Sequence, residues 1–288
     1  MNANHFRVRA GDRRAIGRYA TSHTGQFTDK ESAAAHLAKG VHRLEERQAL
    51  LYAQGEYSLL IVLQGLDTAG KDGIVKHVLS GVNPLGTDVH AFKQPSSEEL
   101  GHDFLWRVSR ALPSRGRIGI FNRSYYEDVL VVRVHPQLLE AGHQPADRIT
   151  QHVWKERYED INAFERHLWR AGTIVLKFFL NISRREQKRR LLERLDDPAK
   201  NWKFSSGDLI ERAKWDAYQD AYRDALAATS TSHAPWYCVP ADHKWFARVV
   251  VADAIVDALD GLDLAMPKPS PDQKRELVRA RKQLSASS

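Results

Sequence analysis

A glycine-bounded loop that carries one lysine and two aspartates stands between two apolar segments. The loop, residues 65–73, reads Gly-Leu-Asp-Thr-Ala-Gly-Lys-Asp-Gly. An apolar run of strand length, 59–63, precedes it, and apolar residues recur at helical spacing over 74–79. Strand, glycine-rich loop, lysine and helix is the order in which proteins build a backbone cradle for phosphate.

The glycines and the lysine of this loop supply the chemistry of anion binding. Gly65 and Gly70 let the backbone curl so that successive N–H groups face one anion. Lys71 adds a positive charge, and a helix that begins beside it directs its positive dipole end to the same place. Ala69 and Gly73 complete the loop and are candidate substrate-binding positions together with the other two glycines.

Two acidic residues indicate that the loop binds more than an anion. Its spacing is that of a Walker A motif, but Asp72 stands where Ser or Thr usually follows the lysine, and Asp67 lies within the loop. Two carboxylates would repel phosphate unless a cation neutralised them. Mg²⁺ binds carboxylate and phosphate oxygens together, so we predict a phosphate-plus-metal site with Asp67 and Asp72 as metal ligands. The alternative is an ordinary glycine-rich turn.

The overall composition is that of a globular protein with an anionic partner. Of the 288 residues, 42% are hydrophobic and 27% charged, which predicts one large α/β domain with an ample core. Cys238 is the single cysteine, residues 1–20 contain no apolar leader, and no stretch is long enough to span a membrane, so we expect a cytoplasmic protein. A net charge of +7 favours nucleic acid, an acidic lipid surface or a polyphosphate-like substrate as the partner.

Strand-like and helix-like segments alternate along the chain. This order predicts an α/β fold with a doubly wound, mostly parallel, five-stranded sheet and right-handed crossovers. The predicted domain covers 30–262, between an N-terminal arm of residues 1–29 and a mobile tail of residues 263–288. The predicted strands are 59–63, 89–92, 117–124, 173–182 and 236–239. The predicted helices are 30–54, 72–79, 96–111, 146–171, 183–196, 206–227 and 243–259.

Polar residues close the third predicted strand, where a P-loop protein carries its second motif. Asn122 can orient a water or a metal-bound water but adds no charge, and Arg123 can bridge phosphates bidentately. Glu127 and Asp128 follow within one helical turn. Each of these two acids is a candidate for binding metal, for binding nucleotide hydroxyls, or for no role beyond charge at a helix N-terminus.

A basic segment after the fourth predicted strand is a second source of positive charge. Residues 183–203 combine a leucine side with a cationic side, and such a run is usually a solvated helix. Its position over the carboxyl edge of the sheet, where ligands bind, favours instead a lid over about 183–215 that neutralises phosphoryl charge and excludes water. The candidate substrate-binding cations are Arg189, Arg190, Arg194, Lys200 and Lys203.

Five motifs in one order resemble the polyphosphate kinase 2 family, over about residues 30–260. The resemblance implies a three-layer α/β/α P-loop kinase fold with a helical lid. It also implies transfer of the terminal phosphoryl group of inorganic polyphosphate to nucleotides, or the reverse, with Mg²⁺ or alternatively Mn²⁺. The motifs are GLDTAGKDG at 65–73, DFLWR at 103–107, FNRSYYEDVLVVRV at 121–134, DDPAKNWKFS at 196–205 and APWYCVPADHKW at 234–245.

The same resemblance implies roles for individual residues. Asp67 and Lys71 match the cradle acid and lysine of the family. Asn122 and Arg123 match its second motif, where many members have Asp before the Arg. With Arg190 of the lid, the residues Asp67, Lys71 and Arg123 form the implied catalytic set.

The implied partners are inorganic polyphosphate and the nucleotides AMP, ADP and ATP, with guanine nucleotides as alternatives. The sequence Tyr-Glu-Asp at 126–128 resembles the branch that accepts both nucleoside mono- and diphosphates. The resemblance further implies a homo-oligomer, a tetramer, with no nucleic-acid or membrane partner. Two other hypotheses stay open: an ATP-dependent nucleotide or small-molecule kinase on the same fold, and a nucleic-acid-binding module that uses the basic helix.

Overall fold

Five parallel strands form the centre of the protein. The structure is a computed structural model and describes residues 1–141 and 144–286. The strands lie in the order β2-β3-β1-β4-β5, and every pairing is parallel, which confirms the predicted doubly wound sheet. The strands are β1 (Ser58–Gln64), β2 (Thr87–Ala91), β3 (Ile118–Asn122), β4 (Thr173–Asn181) and β5 (Trp236–Pro240).

Helices connect the strands and cover both faces of the sheet. Among the described residues, no helix combines the length and the apolar character that a membrane span requires. The helices are α1 (Lys30–Gln54), α2 (Lys71–Val78), α3 (Ser97–Leu100), α4 (Trp106–Ser109), α5 (Glu127–Val134), α6 (Gln137–Ala141), α7 (Val153–Arg170), α8 (Arg184–Asp196), α9 (Gly207–Ala213), α10 (Trp215–Thr229), α11 (Lys244–Asp260) and α12 (Pro271–Ala286).

The side chains of the central strand divide the core into two layers. Leu59, Ile61 and Leu63 of β1 are buried in the cluster that contains the apolar sides of α1, α2 and α11. Leu60 and Val62 point to the opposite face and are buried with α5, α7 and α10. Successive side chains of a strand point to opposite faces of the sheet, and both faces of β1 are buried, so its side chains enter two separate layers. The two layers, one on each face of the sheet, confirm the three-layer α/β/α fold.

Three predicted helices have different boundaries in the structure. The helix predicted over 96–111 is two short helices, α3 and α4. Gly101 ends α3 after one turn, and the Asp103 carboxylate accepts a hydrogen bond from the Leu105 N–H just before α4. The helix predicted over 146–171 begins later, at Val153 of α7. The helix predicted over 206–227 is divided into α9 and α10. Boundaries that depend on single caps are the part of a helix that periodicity predicts least well.

The two ends of the chain have more structure than the sequence indicated. The segment predicted as an N-terminal arm packs against the domain: Phe6 contacts Phe246 of α11, and the Val8 N–H donates to the Trp236 carbonyl of β5. The segment predicted as a mobile tail contains α12, whose side chains are exposed, and its last two residues lie outside the described residues. The division of the chain at residues 30 and 262 stays a prediction.

A charged network is buried between α7, β4 and the turn that follows β3. The Lys177 ammonium lies 2.5 Å from the Glu165 carboxylate and donates to the Thr229 carbonyl at 2.7 Å. The hydroxyls of Tyr125 and Tyr126 both donate to Glu165 at 2.8 Å. Both charged side chains are fully buried, so each partner depends on the other to offset its desolvation.

We expect that removing either charge of this network destabilises the fold strongly. Lys177→Met and Glu165→Leu should each lower the free energy of unfolding by about 3–5 kcal/mol, because each leaves a buried charge without its partner. No lone charge remains in the double variant. Its loss of unfolding free energy should therefore be smaller than the sum of the two single losses, by at least about 1 kcal/mol. Urea unfolding with an unchanged m-value measures these differences.

The exposed Lys155 of α7 provides the control for these variants. It pairs with Glu159 at 3.8 Å on the solvent side of the helix. Lys155→Met should therefore change the free energy of unfolding by no more than about 0.5 kcal/mol. Additive effects of the two buried substitutions would contradict the coupling that the contacts indicate.

Candidate active site

The loop between β1 and α2 has the backbone geometry of a phosphate cradle. Gly65 packs so closely that a Cβ there would lie 3.0 Å from the Ala69 Cβ and 3.1 Å from the Leu180 carbonyl oxygen. Gly70, at φ +113°, lies immediately before α2 in a conformation that L side chains rarely adopt. The two glycines are therefore required by the close approach and by the left-handed turn. The first N–H groups of a helix have no partner within the helix, and a helix that begins after such a loop is a common binding site for phosphate.

Lys71 is the first residue of α2 and is buried within the cradle. Its ammonium donates to the Gly65 carbonyl at 2.6 Å, so the side chain folds back over the loop. Burial lowers the pKa of Lys71 to about 8, helped by the charge of Arg123 and opposed by the charges of Asp67, Glu127 and Asp72. A bound phosphate would favour the charged form of this lysine.

Arg123 follows β3 and brings the two halves of the site together. It donates to Asp67 of the loop at 2.8 Å and to Glu127 at the start of α5 at 2.9 Å. The charge of Glu127 is the largest influence on the pKa of Arg123 and raises it, with Asp67 acting in the same direction against the effect of burial. Gln64, the last residue of β1, donates to the other Glu127 oxygen at 2.9 Å.

Asp72 is the second residue of α2, and its partners differ from those of this cluster of ion pairs. It accepts a hydrogen bond from the Asn122 amide at 2.9 Å, and the Lys203 ammonium lies 3.4 Å away. Burial acts to raise the pKa of Asp72, but the hydrogen bonds from Asn122 and Lys203 and the charges of Lys203 and Lys71 outweigh it and lower the pKa. The carboxylate is therefore ionised at neutral pH.

The two aspartates are compatible with Mg²⁺ only when phosphate oxygens complete its coordination. No group of three acidic, His or Cys side chains among the described residues is arranged to hold a metal. Asp67 and Asp72 belong to the cradle loop and the first turn of α2, and each lies within ion-pair distance of a cation, Arg123 and Lys203 respectively. Mg²⁺ commonly binds to one or two carboxylates together with substrate phosphates and water, so this donor set fits that ion.

Arg190 contacts backbone carbonyls in this structure, and its predicted catalytic role stays a prediction. Its guanidinium is buried and donates to the carbonyls of Thr68 and Ala69 in the cradle at 2.9 and 3.1 Å. It also donates to the carbonyls of Ala241 and Asp242 after β5, both at 2.7 Å. With its donors used in this way, Arg190 ties the cradle to the β5–α11 loop and is a positioning residue in this structure.

The other predicted lid cations lie at different distances from the cradle. Arg189 is exposed and pairs with Glu186 and Glu193 along α8, and Lys200 pairs with Asp197. The partners of both residues lie within the lid segment, and their predicted contacts with substrate stay predictions. Arg194 donates to the Lys203 carbonyl and to Asp208 of α9, which fixes the segment that carries Lys203. The structure thus brings one of the predicted lid cations, Lys203, to a cradle side chain.

A cavity of about 950 Å³ opens beside the cradle, on the side of Asp67 and Arg123. Asp128 lies in its wall, and burial raises the pKa of this residue to about 6 against the charges of Arg157 and Arg107. Acidic side chains outnumber basic ones in the lining. The acids are Asp67, Glu99, Asp103, Glu127, Asp128, Glu156, Asp160 and Glu211, and the bases are Lys93, Arg107, Arg123, Arg157 and Arg212.

Sequence reasoning missed most of this cavity wall. Arg157 of α7 donates to the Asp128 carbonyl at 2.6 Å and stacks its guanidinium over the Phe104 ring. Arg107 of α4 lies over Phe92. Phe104 and Arg107 belong to the DFLWR motif, which was a signal for the site. Nothing in the sequence pattern around Arg157 distinguished this residue from the other charged residues of an amphipathic helix.

A phosphate cradle at the carboxyl end of β1, an arginine at the end of β3 and an adjoining cavity define a P-loop kinase. The chain belongs to the polyphosphate kinase 2 family, since the family model "Polyphosphate kinase 2 (PPK2)" matches residues 27–267. This finding confirms the resemblance drawn from the sequence motifs. The roles assigned to individual side chains stay predictions.

Similar proteins cover nearly the whole chain. An ADP-polyphosphate phosphotransferase from Rhodopseudomonas palustris is 46% identical over 285 residues, covering 99% of both chains. An AMP/ADP-polyphosphate phosphotransferase from Meiothermus ruber is 44% identical over 95% of this chain and 98% of its own. The crystal structure of polyphosphate kinase 2 from Arthrobacter aurescens TC1 is 44% identical, with a TM-score of 0.86 over 99% of this chain and 96% of that one.

The lowered pKa of Lys71 predicts how phosphate binding depends on pH. Because the ammonium loses its proton near pH 8 in the free protein, affinity for tripolyphosphate should fall on the order of tenfold from pH 7 to pH 9. Lys71→Arg retains a charge across this range and should lack that fall, while ionisation of the ligand affects both proteins equally. Titration calorimetry at each pH gives the comparison. Parallel pH profiles for the two proteins would show that Lys71 stays charged throughout.

Proposed function

We propose that this protein transfers the terminal phosphoryl group of inorganic polyphosphate to nucleoside mono- and diphosphates, reversibly and with Mg²⁺. The observation that carries the proposal is the convergence of Lys71, Arg123 and Asp67 on one glycine-rich cradle beside a cavity large enough for a nucleotide. Family membership and relatives named as polyphosphate phosphotransferases support the choice of donor.

In the proposed reaction, an oxygen of the acceptor's terminal phosphate attacks the terminal phosphorus of polyphosphate. The new P–O bond forms as the bond to the rest of the chain breaks, and the shortened polyphosphate leaves with the bonding electrons. A phosphate acceptor is already ionised, so no side chain has to remove a proton from it. Catalysis then consists of alignment and neutralisation of charge.

Each cradle residue has a distinct part in that neutralisation. Lys71 and the N–H groups at the start of α2 bind the oxygens of the transferring group, and Arg123 bridges donor and acceptor phosphates. Asp67 and Asp72 would hold Mg²⁺, which supplies positive charge to the phosphates when it is bound. Arg190 keeps the cradle backbone in place through its hydrogen bonds to Thr68 and Ala69.

A lid made of α8, α9 and the segment between them would close this arrangement. Lys203 lies in that segment, and its ammonium is already 3.4 Å from Asp72, so the lid contributes positive charge at the cradle. The named relatives differ in acceptor, one being an ADP and the other an AMP/ADP phosphotransferase. We assign both acceptors to this chain because of the Tyr-Glu-Asp sequence at 126–128, and a homotetrameric assembly because of the family resemblance.

The decisive experiment offers AMP and ADP separately to the purified protein with Mg²⁺ and polyphosphate. We expect ADP from AMP and ATP from ADP, measured by chromatography of the nucleotides. ATP from ADP alone would exclude the monophosphate as an acceptor. Absence of both products, together with phosphorylation of another acceptor by ATP, would favour the ATP-dependent kinase.

The contribution of the cradle is tested by Lys71→Ala. Loss of a preorganised charge at the transferring group should lower turnover on the order of 10²-fold or more. Lys155→Ala, an exposed lysine on α7, should leave turnover unchanged. Near-normal turnover in a folded Lys71→Ala protein would remove the cradle from the mechanism.

A further inference from the structure

The N-terminal segment crosses the sheet at the carboxyl ends of the strands, which is the edge where the cradle lies. Ile16 packs with the layer of α5, α7 and α10, whereas Tyr19 packs with the layer of α1, α2 and α11 on the other face. The Ile16 carbonyl accepts a hydrogen bond at 3.0 Å from the side chain of Asn181, the last residue of β4. Residues 16–21, which we call the strap, therefore pass from one face of the sheet to the other across the end of β4.

Asp242, two residues beyond β5, joins the strap to the beginning of the lid. Its carboxylate accepts hydrogen bonds from the Thr21 hydroxyl at 2.8 Å and from the Ser183 N–H at 2.7 Å. The Asp242 N–H donates in turn to the Thr21 carbonyl at 3.0 Å. Ser183 is the N-cap of α8, and its hydroxyl accepts from the Glu186 N–H at 3.0 Å. The strap therefore holds the carboxylate that fixes the residue at which α8 begins.

The first turns of α8 connect this anchored end to the cradle. Gln187 donates to the Asp67 carbonyl at 3.3 Å. Arg190, three residues further along, donates to the Thr68 carbonyl at 2.9 Å and to the Asp242 carbonyl at 2.7 Å. Both of these α8 side chains are buried. A displacement of the beginning of α8 would therefore move side chains that contact the backbone of the cradle.

We propose that Asp242 and Thr21 are positioning residues for phosphoryl transfer, which hold the beginning of α8 so that the lid meets the cradle in one arrangement. This inference rests on the proposed function, since the lid acts there on the transferred group. Neither residue has to touch a substrate, because both act through Ser183 and α8. The strap, which the sequence placed in an arm outside the kinase domain, then belongs to the support of the active site.

Thr21→Val provides the test, because it removes one hydroxyl and keeps the shape of the side chain. The kcat should fall on the order of tenfold with AMP and with ADP alike, because a hydrogen bond to a charged carboxylate is lost and the lid acts on the group common to both reactions. The KM for ADP should stay unchanged, since the lining of the cavity begins at Gly65.

Two further variants at neighbouring positions provide the controls. Thr21→Ser keeps the hydroxyl and should therefore restore the kcat. Thr24→Val should leave the kcat unchanged, because within the described residues the Thr24 hydroxyl has no hydrogen-bond partner. Each kcat is measured per folded molecule, in buffer well below the urea midpoint of the variant.

Hydrogen exchange separates this inference from the proposed reaction, because it needs no substrate. In Thr21→Val and in Asp242→Ala, the backbone amides of α8 should exchange on the order of tenfold faster, while those of α7 should not change. If the unaltered protein transfers no phosphoryl group and α8 still exchanges faster in the variants, the proposed function fails and the anchoring of α8 by the strap stands.

Two results would overturn the inference. The first is a Thr21→Val protein with a lower urea midpoint but a full kcat, which would make the contact a matter of stability alone. The second is a lower kcat with unchanged exchange in α8, which would place the effect outside the lid. If Asp242→Ala does not fold, the comparison of Thr21→Val with Thr21→Ser decides, because both proteins keep the Asp242 carboxylate.

Discussion

The ion pairs of Arg123 with Asp67 and Glu127 hold the site together, because they join the cradle after β1 to the turn after β3. They also neutralise that guanidinium before any substrate binds, so an arriving phosphate has to compete with two carboxylates for it. Lys71 differs, because it donates to backbone carbonyls, which neutralise no charge. On the proposed function, an arriving phosphate therefore meets the Lys71 ammonium before it competes for Arg123.

The fold keeps Arg123 in a conformation that the residue would not adopt alone. Its φ of +65° costs on the order of 1–3 kcal/mol, which the surrounding structure has to supply. The parallel register of β1 and β3 supplies part of it, since the Arg123 N–H donates to the Leu63 carbonyl. The buried pair of Glu165 and Lys177 supplies another part, because it holds the hydroxyls of the two tyrosines that come directly after this turn.

Features that depend on local period and spacing could be predicted from the sequence, and long-range partners could not. The apolar runs and the loop at 65–73 identified the strands, the cradle and Lys71, since each signal lies within a few neighbouring residues. Arg190 was placed in a lid because it lies on a basic helix, but helical spacing does not reveal that its face turns toward the carbonyls of Thr68 and Ala241. The cavity wall was missed for the same reason, because Arg157 meets Asp128 only through the packing of α7 on α5.

Two substrates that both carry negative charge can be told apart by what surrounds the phosphates they share. On the proposed assignment the cradle binds the transferred phosphoryl group, which is the same in every donor and every acceptor. It therefore has no means of distinguishing chain length or base. The cavity beside the cradle does have such means, because its wall combines carboxylates, which repel a long phosphate chain, with aromatic and apolar side chains against which a base can pack. On the proposed assignment, selection of the acceptor therefore depends on the cavity wall and not on the cradle, and the direction of transfer depends on the supply of the substrates.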